Sequence, residues 1–432
     1  MKDTDVARLR VQVKAAWAKL PPDVQAQLYP KMRSARAHAL AIQAEAMPAT
    51  AAPPPRRELV MLDRMLHDDD HLESTAAGTP AVEGIFTYVL PDGEVKWGNR
   101  DYDSTDLGWA YCFVAWVDTD GQTPPFRVGN VIEIPDNTTL AILGDWGGAN
   151  PAAVAIAAAA KSAAYQIHLG DVYYAGTTGG SLANWPYEPD HFLNVWTGAP
   201  SKSFALNSNH DMYAHATGYL EALQAPAFNA QGGNCFALYN KAFRIVGLDS
   251  AYYAPDTGIR EFPGYMIGSL GDPQGQQAQF LEQQIAQLTA GQKLILLTHH
   301  NGLKLNGSQP ESGDPQLLLW QQVTAVLQQL PAAASKHVLW YWGHEHAGAV
   351  YTPQQVNGVT IYPRCCGHGC IPWGLATDLQ SANVLWFEQQ NLGPGDNYFV
   401  TNGYAQLAVN GASLTESFWN QNGQQSWSQP WV

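Results

Sequence analysis

Residues 140–147 read Leu140-Ala141-Ile142-Leu143-Gly144-Asp145-Trp146-Gly147, an apolar run closed by a glycine, an acid and a further glycine. A short run without polar alternation suits a strand buried on both faces, and such a strand needs helices packed on its sheet. The pattern recurs along the chain. Tyr165-Gln166-Ile167-His168-Leu169 leads into Gly170-Asp171-Val172-Tyr173-Tyr174, and Leu294-Ile295-Leu296-Leu297 into Thr298-His299-His300. His337 to Trp342 leads into Gly343-His344-Glu345-His346, and Asn209-His210-Asp211 completes the set. Each cluster falls just beyond the carboxyl end of a strand-like segment, where open α/β sheets hold their ligands.

Helical patterns separate these segments: Pro151 to Lys161, Gln276 to Leu288 and Gln316 to Leu330. Alternation of strand and helix implies βαβ units. After His346 the pattern is all β, with Val359-Thr360-Ile361-Tyr362, Tyr404 to Val409 and a hairpin about Asn422-Gly423. The expected architecture is an α/β fold of four layers, α/β/β/α, two facing sheets with helices outside. We assign it to residues 137–432. Residues 3–46 read as two amphipathic helices broken at Pro21-Pro22, with Val6, Leu9, Val13 and Trp17 on one face. The stretch 46–55 has linker composition. Residues 1–77 are therefore expected to be a helical extension, a candidate for packing or self-association. Residues 78–136 are expected to form a small β-rich segment, with strands at Ile85 to Leu90, Val95 to Trp97 and Tyr111 to Val117.

A length of 432 residues and 46% hydrophobic content support a sizeable core. Net charge is −15 with only 23 lysines and arginines, which argues against a nucleic-acid duplex as partner. A phosphate site must then draw positive potential locally, as bound metal ions supply it. No apolar run reaches the roughly 20 residues of a membrane span. Met1-Lys2-Asp3-Thr4-Asp5 lacks the basic start of a signal peptide. Five cysteines show neither a disulfide scaffold nor a zinc pattern.

Two cations about 3.5 to 4 Å apart can activate water and neutralise a phosphoryl transition state. Such a pair needs a bridge, and Asp171 has two oxygens for it. Asp145 offers a further carboxylate, Asn209 an amide oxygen, and His299, His344 and His346 imidazole nitrogens. Tyr174 returns three residues after Asp171 and is the expected phenolate ligand, leaving Tyr173 to packing or the cleft wall. Adjacent side chains on a strand point opposite ways, so only one of His299 and His300 can bind metal from an extended backbone; the strand position selects His299. Asp68-Asp69-Asp70-His71 reads as a solvated acidic loop. His168 reads as a core residue or a supporting one, and His191 and His215 as surface or cleft residues.

These residues resemble the purple acid phosphatase branch of the calcineurin-like metallophosphoesterases. Gly170-Asp171-Val172-Tyr173-Tyr174 matches its Gly-Asp-x-x-Tyr motif, and Gly144-Asp145-Trp146-Gly147 its first motif, from about Leu140 to Thr352. The resemblance implies Fe(III) on Asp145, Tyr174 and His346, a divalent Fe, Zn or Mn on Asn209, His299 and His344, and Asp171 bridging. It implies a small phosphorylated substrate, a phosphomonoester attacked by metal-bound hydroxide, with His210 touching the phosphate and protonating the leaving group. Where the family has a second catalytic histidine this chain has Ser308 and Gln309, so His300 is the candidate to assist. Ser208 stands where the family usually has glycine. Family members are commonly exported, whereas this chain's start leaves the cytoplasm as the default.

Two other functions are compatible with the residues. One is a phosphodiesterase with two similar divalent ions, acting on nucleotides or lipid head groups. The other is a non-catalytic binding module using residues 1–80. Cys365-Cys366-Gly367-His368-Gly369-Cys370 reads as a glycine-rich loop on the rim of the metal cleft, with buried or redox-sensitive thiols, and Trp146 as a wall of that cleft. The 15 tryptophans and 19 tyrosines are taken mainly as core and sheet-packing residues.

Overall fold

The apolar runs become interior strands of two sheets. In one, Asn137–Leu143, Tyr165–His168 and Ser203–Ala205 lie parallel, and Gly403–Asn410, Ser413–Asn420 and Gln425–Trp431 continue it antiparallel beyond Asn137–Leu143. In the other, Phe243–Leu248, Lys293–Thr298, His337–Trp342 and Val359–Cys366 lie parallel in that spatial order. Cys235–Tyr239 and Val128–Glu133 extend it past Phe243–Leu248; Gly348–Tyr351 and Val384–Phe387 extend the opposite edge. This computed structural model describes residues 3–43, 57–67, 87–89, 95–97, 106–119, 123–255, 264–371, 377–390 and 400–431. The expected linker at 46–55 and the acidic run 68–71 lie outside them.

The side chains show why the runs carry no polar alternation. Ile295, Leu297, Leu339 and Tyr341 fill the space between the sheets with Leu140, Ile142, Ile167 and Phe204 of the facing one. Leu294, Leu296, Val338 and Trp340 face the other way, onto Phe280 and Leu281 of the helix Gln276–Ala286 and Leu319 and Val323 of Leu317–Leu327. Ala141 and Leu143 belong to a third cluster with Ala153 and Ile156 of the helix Pro151–Ala160. Both faces of each central strand are therefore dry, and the layers run helix, sheet, sheet, helix, as expected. Between the sheets Arg364 holds Glu416 through two 2.9 Å contacts, and the Tyr341 hydroxyl donates to the same carboxylate at 2.8 Å.

At the amino-terminal side the two expected helices form, Asp3–Lys19 and Pro22–Gln43, with Leu9, Val13, Leu28 and Met32 buried in the cluster that contains Leu143 and Trp146. A third helix, Arg57–His67, was not expected. Thr87–Val89 and Val95–Trp97 pair as an antiparallel hairpin. One expectation is overturned: Tyr111–Asp118 is a helix, not a strand. Its apolar run is buried against the N-terminal helices, and a short run buried all round does not reveal its own period. Val128–Glu133, also within 78–136, joins the larger sheet by parallel pairing with Cys235–Tyr239. Among the described residues no helix is long and apolar enough to cross a membrane.

Candidate metal centre

Parallel neighbours end side by side, so their loops leave together. Beyond Asn137–Leu143 and Tyr165–His168, Gly147 N–H donates to the Asp171 carbonyl at 3.0 Å and Tyr173 N–H to the Gly147 carbonyl at 2.8 Å. A Cβ on Gly147 would fall 2.5 Å from that Asp171 oxygen, so the approach requires glycine. In the facing sheet Gly343 N–H donates to the His299 carbonyl at 3.0 Å. Asp145, Asp171 and His344 take positive φ values of 54°, 76° and 65°. Each such residue costs roughly 1 kcal/mol or more and persists where its surroundings over-determine it, most often at functional sites.

The side chains meet in two groups. In the first, the Tyr173 hydroxyl lies 3.3 Å from Asp145 Oδ1 and 3.2 Å from His346 Nε2, and His346 Nε2 lies 3.4 Å from Asp145 Oδ1. In the second, Asn209 Oδ1 lies 2.8 Å from His299 Nε2 and 3.2 Å from His344 Nδ1. Asp171 reaches both. Its Oδ2 accepts from the Tyr173 hydroxyl at 2.9 Å, while Oδ1 lies 3.4 Å from His299 Nε2.

Two sequence expectations are corrected here. Tyr174 is not at the acids: its hydroxyl donates to Asp106 Oδ2, and Tyr173 stands where Tyr174 was expected. The pinning of Tyr173 N–H by Gly147 brings that ring inward and sends its neighbour to the opposite side. His300 is not available to a substrate, because Nε2 donates to the Tyr265 carbonyl at 2.7 Å and Nδ1 faces Ser250 Oγ at 2.9 Å. Burial lowers its pKa to about 3. His210 is buried beside the first group, its ring against Tyr173 at 4.8 Å and its Nδ1 donating to the Tyr174 carbonyl at 2.6 Å. Ser208 adopts an extended φ of −137° and caps the helix Asn209–Met212, which explains why glycine is unnecessary there.

The lesser candidates also find places. His168 stacks on Phe192 in the core, and burial lowers its pKa to about 3. His191 is no bystander: Nδ1 donates to the Tyr173 carbonyl at 2.7 Å. His215 lies 3.4 Å from Thr123 Oγ1. Gly367 of the cysteine loop lies against the centre, where a Cβ would fall 2.1 Å from the Glu345 carbonyl and 3.0 Å from Asp145 Oδ2. Its thiols are buried, and burial pushes Cys366 up to about 12 and Cys365 well above its ordinary value, which favours the thiol over the nucleophilic thiolate at those two positions.

The donor chemistry fits cations. His299 Nδ1 donates to the Leu169 carbonyl at 2.9 Å, and burial lowers this imidazole's pKa, so Nε2 carries the lone pair. That lone pair faces two oxygens, Asn209 Oδ1 and Asp171 Oδ1, and the latter has no hydrogen-bond partner among the described residues. Electron-rich atoms gathered in a dry place repel unless a cation lies among them. The carboxylates make the same demand. Burial, then the Asp171 charge, raises Asp145 well above the usual range. For Asp171 burial opposes ionisation, while the His299 and His210 charges favour it strongly enough to hold it well below that range. Burial drives His299 and His344 toward their neutral forms, so the two buried carboxylates need positive charge from another source.

Asp106, Trp109 and Cys112 also border the site, and the β-rich reading of 78–136 concealed them. Asp106 as a helix N-cap, accepting from Gly108 N–H at 2.9 Å, is the signal that could have disclosed the helical turn.

No protein-family model matches the chain, and no curated protein does. Among solved structures it is similar to GAP50, the anchor in the inner membrane complex of Plasmodium, at 14% identity over 68% of this chain and 88% of that one, with a TM-score of 0.44. It is similar to PhoD at 12% identity over 69% and 72% of the two chains, TM-score 0.44. Vps29 of Chaetomium thermophilum is similar at 10% identity over 69% and 97%, TM-score 0.27.

Proposed function

We propose that this chain is a metal-dependent phosphoric ester hydrolase of the calcineurin-like superfamily, of the purple acid phosphatase type, acting on a small phosphomonoester. The observation that supports it most is Asp171, with one oxygen turned to the tyrosine–histidine group and the other to the amide–histidine group. Asp145, Tyr173 and His346 would hold a ferric ion, Asn209, His299 and His344 a divalent Fe, Zn or Mn, and Asp171 would touch both. When bound, the pair would supply an activated water and positive charge for the phosphoryl oxygens. The protein's own part is orientation and proton transfer. Leu169 fixes the His299 tautomer, His191 and the Gly147 loop hold Tyr173, and His210, with Nδ1 occupied, presents Nε2 as the atom that exchanges a proton with the leaving group.

A second reading, two similar divalent ions and phosphodiester substrates, is favoured by one observation. The Tyr173 hydroxyl donates to Asp171 Oδ2 at 2.9 Å, as a neutral phenol would. A visible spectrum with elemental analysis separates the two. The proposal expects a violet protein with iron, whose band is lost in Tyr173→Phe and kept in Tyr174→Phe, and Asp171→Ala without metal or turnover. A colourless zinc or manganese protein favours the second reading; full activity in Asp171→Ala would sink both.

A further inference from the structure

The tyrosine pair leaves one group without a stated task. Tyr174 points away from the acids, yet its main-chain carbonyl accepts from His210 Nδ1 at 2.6 Å and from the Cys112 thiol at 3.1 Å. A carbonyl cannot donate, so Nδ1 carries the hydrogen and Nε2 is the atom left for the substrate. Where that carbonyl sits therefore decides how the imidazole is turned and which nitrogen is protonated.

The Tyr174 side chain is anchored firmly. Its hydroxyl donates to Asp106 Oδ2, and Asp106 is fully buried and is itself oriented by the Gly108 N–H on Oδ1 at 2.9 Å. The ring lies so close to the turn that a Cβ on Gly108 would fall 2.2 Å from its Cζ. Trp109 meets it edge-on at 5.4 Å and closes over His210 at 5.3 Å, and Tyr187 packs beside it at 5.6 Å. Asp106, Gly108, Trp109 and Cys112 all precede the strands that carry the metal-centre residues. Helices Asp3–Lys19 and Arg57–His67 share a core cluster with this segment, which presses it against the site.

We propose that Asp106 and Tyr174 are positioning residues for His210, acting through the Tyr174 carbonyl, and that the N-terminal segment is thereby built into the active site. The inference rests on the phosphoester reading for its kinetic consequence, not for its structural one. A group that protonates the leaving oxygen matters most when that oxygen is basic. Loss of the anchor should therefore fall on esters of poor leaving groups, while metal binding, which uses Tyr173, stays intact.

The test compares Asp106→Leu, Asp106→Asn, Gly108→Ala and Tyr174→Phe with the parent protein. It reads metals per chain, the His210 imidazole by nitrogen NMR, and kcat and KM on phenyl phosphate and 4-nitrophenyl phosphate. Expected are unchanged metal content and a weakened Nδ1–H signature. With these, kcat on phenyl phosphate should fall on the order of 100-fold, against at most about threefold on 4-nitrophenyl phosphate, with KM unmoved. Asp106→Asn, which keeps an acceptor for the tyrosine, should restore most of the loss. Gly108→Ala displaces the Tyr174 ring while keeping both the Asp106 carboxylate and the Tyr174 hydroxyl, and it serves should Tyr174→Phe fail to fold. Metal lost in Tyr174→Phe would make that tyrosine a ligand and overturn the proposal, as would equal losses on both esters. If the parent protein hydrolyses neither ester, the phosphoester reading fails instead, and the NMR arm still decides: an unchanged His210 Nδ1–H in all four variants overturns the positioning role.

Discussion

Asp249 shows at the scale of one residue how a saturated carboxylate can still be frustrated. It accepts from Asn234 Nδ2 at 2.8 Å, Asn207 Nδ2 at 3.2 Å, Ala251 N–H at 3.1 Å and Tyr252 N–H at 2.9 Å. Burial outweighs these donors and raises its pKa from 3.8 to about 6. Between those values the folded chain holds a proton that the unfolded chain has released, so folding loses stability as pH rises through the window. The contribution is complete below pH 3.8 and gone above about 6. The size is about 3 kcal/mol. Urea unfolding from pH 4 to 7 should show a steeper fall in the parent protein than in Asp249→Asn; parallel profiles would refute this account. The tyrosine pair belongs to the same scale. Spacing from Asp171 selects Tyr174, but spacing counts residues, and the inward ring is chosen by the Tyr173 N–H bond to Gly147 in another loop.

Among the elements, the single turn Asn209–Met212 carries an outsized load. Its first residue offers the amide oxygen to two imidazoles and its second is His210. Four residues cannot hold a helix by propagation, so the cap must. Ser208 Oγ accepts from Asp211 N–H at 3.1 Å and donates to Asp211 Oδ2 at 2.7 Å, a reciprocal arrangement closed within one turn. Ser208→Ala should lower stability by about 1 kcal/mol. It should also release one bound ion to a competing chelator sooner than the other, a difference absent if the turn holds itself. The helix Tyr111–Asp118 shows the converse. Its seven apolar residues are compatible with strand or helix, and burial beneath the N-terminal helices settles the matter.

Across the whole molecule, the two sheets must keep their separation for residues from opposite sheets to meet at Asp171. Apolar packing sets the distance, and the Arg364–Glu416 pair with Tyr341 locks the lateral register from Val359–Cys366 across to Ser413–Asn420. A buried bidentate pair contributes little net energy, but removing one partner strands a charge. Glu416→Ala should therefore cost about 3–5 kcal/mol in equilibrium unfolding, and the double change Arg364→Met with Glu416→Met should recover most of it. A single-variant loss below about 1 kcal/mol would show that the packing alone holds the register.

Strand ends, buried runs and six of the seven positions expected at the centre were legible because they rest on local facts: an apolar run without alternation has two dry faces, and Asp145, Asp171, Asn209, His299, His344 and His346 each follow such a run or its turn. The facing of the two sheets follows from the same runs. What lay beyond the linear text depends on contacts between segments far apart in the chain. Tyr173 displaced Tyr174 through a loop beginning at Gly144; both ring nitrogens of His300 were taken up by Ser250 and Tyr265; and Asp106, in a segment read as β-rich, became the partner of Tyr174. Spacing and periodicity report which way a chain prefers to turn, whereas the partner of a buried polar group is chosen by whatever the rest of the fold brings within 3 Å of it.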